Sequence, residues 1–104
     1  MYLVVFRNLK RADIDRAAYE AQAAEMERLA REQAGFLSFK SYVADDGEVV
    51  AVSEWADEGS ARAWGRVAEH RAAQHDGREK WYASYTLFGC DSPRLHQFTA
   101  QDIA

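Results

Sequence analysis

The stretch from Phe36 to Trp55 limits most strongly what this chain can fold into. Phe36 to Ala44 and Glu48 to Trp55 are two runs rich in aromatic and β-branched residues, and Asp45-Asp46-Gly47 stands between them. An Asp-Gly pair between two such runs favours a tight reversal, because glycine accepts positive φ without a steric cost. The spacing predicts an antiparallel hairpin.

The flanks repeat one theme on both sides. Tyr2 to Asn8 reads as a strand. Side chains alternate along a strand, so Leu3, Val5 and Arg7 face one way and Tyr2, Val4, Phe6 and Asn8 the other. Most of both faces is apolar, which predicts cover on both sides. Asp13 or Asp15 can cap a helix running from about Asp15 to Gln33, with Gly35 at its C-terminal end. Tyr19, Gln22, Ala23, Met26, Leu29 and Ala30 form its apolar stripe; Glu20, Glu27, Arg28 and Arg31 fall opposite. After the hairpin, Asp57 caps a helix through Ser60, Ala63 and Trp64. Gly65 is expected to interrupt it, and a second short helix runs through Glu69, His70, Ala73 and Gln74 to near Gly77. Trp81 to Cys90 is the last strand.

The order β, α, β, β, α, β predicts an α+β fold, a ferredoxin-like antiparallel sheet with both helices on one face. Residues 1–91 make this domain. Phe39, Val49, Val50, Val52, Trp55, Tyr82, Tyr85 and Phe88 supply apolar side chains for two sheet faces. The face without helices is therefore expected to pair with a second copy, as a homodimer. Beyond Pro93 the tail, 92–104, is polar apart from Leu95, Phe98 and Ile103; it is either loose or lies across the partner subunit.

Composition narrows the function classes. The 104 residues fit one domain, and the net charge is −4. The ten Arg and three Lys are interleaved with acids, so no basic patch for nucleic acid is expected. No run resembles a signal peptide or a membrane span, and Cys90 has no partner for an intramolecular disulfide, which together predict a cytoplasmic protein. Aromatic residues reach 12%, enough for a core, a pocket or an interface.

Several segments together carry a family resemblance. Ser53-Glu54-Trp55 ends a strand, Ser60-Ala61-Arg62-Ala63-Trp64 lies on a helix, and Glu69-His70-Arg71-Ala72-Ala73-Gln74 follows. Gly77-Arg78-Glu79-Lys80-Trp81-Tyr82 and Tyr85 come next, with Gly35-Phe36-Leu37-Ser38-Phe39 upstream. Over residues 1 to about 91 the chain resembles the antibiotic biosynthesis monooxygenase family. The resemblance implies a dimeric α+β barrel with a pocket between each sheet and its helices. The family holds cofactor-independent oxygenases of polycyclic aromatic substrates, haem-degrading enzymes, and members with no known activity, so the fold alone does not choose among them.

Haem-degrading members combine an Asn on the first strand, a Trp on the second helix, and a haem-ligating His ten residues after that Trp. Asn8 and Trp64 match the first two, but Gln74 stands at the third, and an amide is a poor iron ligand. Haem is thus the alternative, through His70 or His75. The cofactor-free reading makes Trp64 a pocket wall, His70 the proton acceptor and Asn8 the polar anchor. Tyr19, Gln22, Met26, Gln74 and Arg78 would then contact a small hydrophobic or aromatic ligand. Each residue also has a plain reading: Trp64 as core, His70 as a surface imidazole, Asn8 as a strand end, and Arg78 as the partner of Glu54. Tyr19, Gln22 and Met26 would then simply pack on the sheet. His70 and Gln74 lie one helical turn apart with no carboxylate or Cys completing a set, so no metal site is expected. A non-catalytic dimeric binder of a hydrophobic metabolite stands as a further alternative.

Overall fold

A computed structural model describes residues 1–74 and 80–101 of the chain. Four strands and two helices follow in the expected order. They are β1 (Tyr2–Lys10), α1 (Arg16–Arg31), β2 (Phe36–Val43), β3 (Val49–Trp55), α2 (Glu58–Gln74) and β4 (Tyr82–Asp91). The sheet runs β2-β3-β1-β4 with every neighbouring pair antiparallel, the ferredoxin-like α+β arrangement.

Local chemistry explains most boundaries. The Asp15 carboxylate accepts from the Ala18 backbone N–H at 3.0 Å, capping α1; Asp57 accepts from Ser60 N–H at 2.7 Å, capping α2. That bond is the largest reason the Asp57 carboxyl titrates below its ordinary range. The hairpin closes through Ala44 N–H to Glu48 O and Gly47 N–H to Ala44 O, with Gly47 at φ +90°.

Two expectations need correction. Gly65 does not interrupt α2, which is continuous from Glu58 to Gln74. A glycine costs a helix only about 1 kcal/mol relative to alanine, and the surrounding Ala, Arg and Val residues outweigh that. Gly35 does not end α1 directly either: the helix stops at Arg31, and Gly35 sits in the turn closed by Phe36 N–H to Gln33 O. Its φ is +82°, and a Cβ there would collide with the Ser60 side chain. The residue is fixed both by its backbone and by the approach of the start of α2.

The core lies at one end of the sheet, on the helix face. Trp55 is fully buried, with Ala30 of α1 and Ala61 of α2 beside it and Tyr2, Val4, Phe36 and Trp64 packed around. The Trp55 ring meets Phe36 edge-on at 5.5 Å and stacks on Trp64 at 6.2 Å. Its indole N–H donates to Ser53 Oγ at 2.9 Å, so the one polar atom of the buried ring is satisfied. On α1 the expected stripe holds except for Ala23, which is exposed.

Within one chain the helices cover only one sheet face, so the expectation of cover on both sides of β1 is not met by the chain's own helices. The other face carries Leu3, Val5, Val50, Val52 and Phe88, interspersed with an Arg7–Glu48 ion pair and a hydrogen bond from Ser38 to Glu54. Phe88 is 48% exposed.

Candidate active site

A second aromatic group lies on the helix face at the opposite end of β1. Strands rise about 3.3 Å per residue, so Asn8 stands ~20 Å along the sheet from Tyr2. Around it gather Phe6, Lys10, Tyr19, Gln22, Trp81, Tyr82 and Tyr85. Phe6 lies 5.5 Å from Tyr82, at 82° to it, and 5.5 Å from Tyr85. Tyr19 of α1 meets Trp81 edge-on at 5.8 Å and Tyr82 at 6.4 Å. The Trp81 indole N–H donates to Gln22 Oε1 at 2.8 Å, which ties the start of β4 to α1.

A break in strand register builds this group. Asn8 pairs with Tyr85 and Leu9 with Ser84, but Lys10 pairs with Tyr82, so Ala83 is the extra residue of a bulge. In a regular strand two residues three apart face opposite ways. The bulge puts Tyr82 and Tyr85 on the same face, and their rings lie 5.8 Å apart.

Two polar groups enter this aromatic surface. Asn8 is buried, and its Oδ1 accepts from Lys10 Nζ at 2.6 Å. The same ammonium lies 4.6 Å above the Tyr19 ring and 6.0 Å from that of Tyr82, within range of cation–π attraction. Burial, with the Tyr19 and Tyr85 phenols alongside, pushes the Tyr82 hydroxyl well above its ordinary value of 10.0. Tyr82 is therefore a neutral hydrogen-bonding phenol at physiological pH. Trp81 also lines an open groove of about 430 Å³ with Arg11, Ile14, Asp15 and Lys80.

The structure brings together three of the residues expected from sequence: Asn8, Tyr19 and Gln22. Met26 is half-buried one turn further along α1. Trp64 is stacked on Trp55 in the core group. His70 is exposed on α2. At 3.6 residues per turn it is rotated ~120° from Trp64 and displaced ~9 Å along the helix, so the two do not share a helix face. The Gln74 side chain, His75 and Arg78 lie outside the described residues, as does an Arg78 pair with Glu54. His96 is exposed. Among the described residues no three His, Cys, Asp or Glu side chains converge as metal ligands. Lys10, Trp81, Tyr82 and Tyr85 are site residues that sequence reasoning missed. Alternation from Asn8 would have placed Lys10 on the Asn8 face had β1 been extended by two residues.

This geometry can be set beside known proteins. The family model described as antibiotic biosynthesis monooxygenase matches residues 1–76. The chain belongs to that family. YqjZ, an uncharacterized protein of Bacillus subtilis (strain 168), is 35% identical over 103 residues, covering 97% of this chain and 89% of the relative. Two solved structures share the fold at low identity. A monooxygenase from the gene ActVA-Orf6 of Streptomyces coelicolor, in complex with the ligand nanaomycin D, superposes with a TM-score of 0.70 at 17% identity, covering 95% of this chain and 92% of that one. A mutant of SnoaB, a cofactor-independent oxygenase from Streptomyces nogalater, gives 0.66 at 17% identity, covering 98% and 94%. They share the arrangement of sheet and helices with this chain. Among its described residues, no helix is long and apolar enough to cross a membrane.

Proposed function

We propose that this family member is a monooxygenase of a small phenolic or quinol-like aromatic substrate, working without metal or flavin. The observation that carries the reading is the Asn8 amide, buried at the floor of an aromatic cluster that another group on the same sheet, the Trp55 core, does not need for support. Two relatives of the same fold, one described as a monooxygenase with nanaomycin D bound and one as a cofactor-independent oxygenase, add to it.

Phe6, Tyr82 and Tyr85 form a surface on which an aromatic ring packs edge-on or offset. Asn8 holds a substrate oxygen by its NH₂ group, since its carbonyl is already engaged by Lys10. The substrate itself supplies the electrons. Its phenolate form adds O₂ at a ring carbon bearing hydrogen, giving a hydroperoxide. Loss of water then leaves a carbonyl: one oxygen atom enters the product, and the other leaves as water with the two hydrogens. The protein's part is to favour the phenolate, orient the ring and keep water out. The apolar face of the sheet, with Val5, Val52 and Phe88, pairs with the same face of a second copy, and the 92–101 part of the tail, whose Phe98 is 85% exposed, packs against that partner. A single cysteine, Cys90, suits a reducing cytoplasmic setting.

The test is oxygen uptake with a panel of phenols and quinols in the presence of a chelator, followed by mass spectrometry after reaction under ¹⁸O₂. Uptake with one labelled atom in the product, lowered about a hundredfold in an Asn8→Ala variant that remains folded, supports the proposal. Absence of uptake across the panel, or uptake indifferent to Asn8→Ala, refutes it.

A further inference from the structure

We infer that Lys10 makes the aromatic surface around Asn8 selective for aromatic substrates that bear a carboxylate beside the phenolic oxygen. This deepens the function proposed above and rests on the same surface. The ammonium of Lys10 is half-buried, and the partners that hold it are a neutral amide oxygen and the faces of Tyr19 and Tyr82. Among the described residues no carboxylate pairs with it; Arg11, Arg16, Lys40 and Arg66 form no ion pair there either, but their side chains are exposed, so Lys10 is the half-buried one of these cations. A partly desolvated cation held only by dipoles and rings gains more from an incoming anion than a solvated, paired one does.

The geometry also specifies where the anion sits. An ammonium has three N–H donors, and one is engaged by Asn8 Oδ1. That bond turns the Asn8 NH₂ group away from the ammonium, so Lys10 and Asn8 each keep N–H donors beyond the bond that joins them. A carboxylate on Lys10 and an adjacent oxygen on Asn8 satisfy both, an ortho arrangement on one ring. Tyr85 is 44% exposed, which leaves the aromatic wall open to an entering ring. The chain as a whole carries −4, so its long-range field repels anions and the preference must come from this local cation.

Isothermal titration calorimetry of the full chain with 1-hydroxy-2-naphthoate and with 1-naphthol separates the charge from the ring. The wild type should bind the naphthoate about tenfold or more tightly than the naphthol, and added salt should narrow the gap. Lys10→Gln should bring the ratio close to one by weakening only the naphthoate, and Lys10→Arg should preserve it. Equal binding of the two compounds by the wild type, no binding of either, or a ratio that survives in Lys10→Gln would overturn the inference. The wild-type ratio and its salt dependence decide the matter even if a variant fails to fold. A discriminating ratio without oxygen uptake would defeat the monooxygenase reading and leave the inference standing.

Discussion

The sheet carries two aromatic groups on one face, about 20 Å apart along β1, and they are built alike but finished differently. Each stands at a break in register. At one end the extra residue is Leu37, so that Phe36 and Phe39 both face the helices; at the other it is Ala83, which does the same for Tyr82 and Tyr85. The Trp55 group is then closed by Ala30 and Ala61, one from each helix, and the indole N–H of the fully buried Trp55 is satisfied internally by Ser53. The Tyr82 group instead holds a buried amide and an ammonium among its rings. Burying such groups costs free energy unless they are partnered, so they contribute less to stability than an apolar set of equal area. The contrast teaches that aromatic content alone does not mark a site; polar atoms held among the rings do.

The contrast can be broken at its strongest point first. Trp55→Ala should destabilise the chain by about 3–5 kcal/mol, measured by urea unfolding, because a fully buried ring leaves a cavity that the two helices cannot close. Tyr85→Ala, which trims a half-exposed ring, should cost far less; equal losses would mean that the second group is core as well.

Asn8→Ala should lower turnover about a hundredfold, the scale seen when one buried donor to a developing negative charge is removed. Trp64→Phe, which keeps a ring against Trp55, should leave turnover within a few-fold. A larger loss in Trp64→Phe than in Asn8→Ala would move the chemistry to the other group.

A sharper test uses pH. The Tyr82 phenol is raised in the folded state by burial and by its phenol neighbours. Between its ordinary value near 10.0 and the raised one, the folded chain keeps a proton that the unfolded chain has lost. The associated stability is therefore complete below about pH 10 and declines as pH rises beyond it. Tyr82→Phe should flatten that alkaline decline in chemical unfolding experiments. An unchanged decline would show that Tyr82 titrates as a solvated phenol.

The smallest effect comes from Gly65. It lies inside α2 with open space where a Cβ would stand, so Gly65→Ala should raise stability by up to about 1 kcal/mol. Gly35→Ala should do the reverse, because its φ is positive and Ser60 occupies the space.

These features differ in how far sequence exposes them. The Asp45-Asp46-Gly47 reversal and the caps at Asp15 and Asp57 are settled by neighbours within four residues, and local chemistry reads them directly. Gly65 was misleading because its weak local preference is overruled by the helix around it. Asn8 was visible as an amide out of place in a strand. Tyr82 and Tyr85 as a pair were not visible, because spacing alone puts them on opposite faces and the bulge that unites them depends on pairing with β1, more than seventy residues away. The bond from Trp81 to Gln22 spans 59 residues and left no local trace.

The most direct measurement follows the three indole N–H signals in a ¹⁵N-labelled chain, assigned by single Trp→Phe variants, during titration with 1-hydroxy-2-naphthoate. If the polar aromatic group is the binding site, the Trp81 signal moves in a saturable way and the Trp55 signal stays in place. If Trp55 and Trp64 shift while Trp81 is silent, the ligand enters the core end of the sheet and the division of labour between the two groups is wrong.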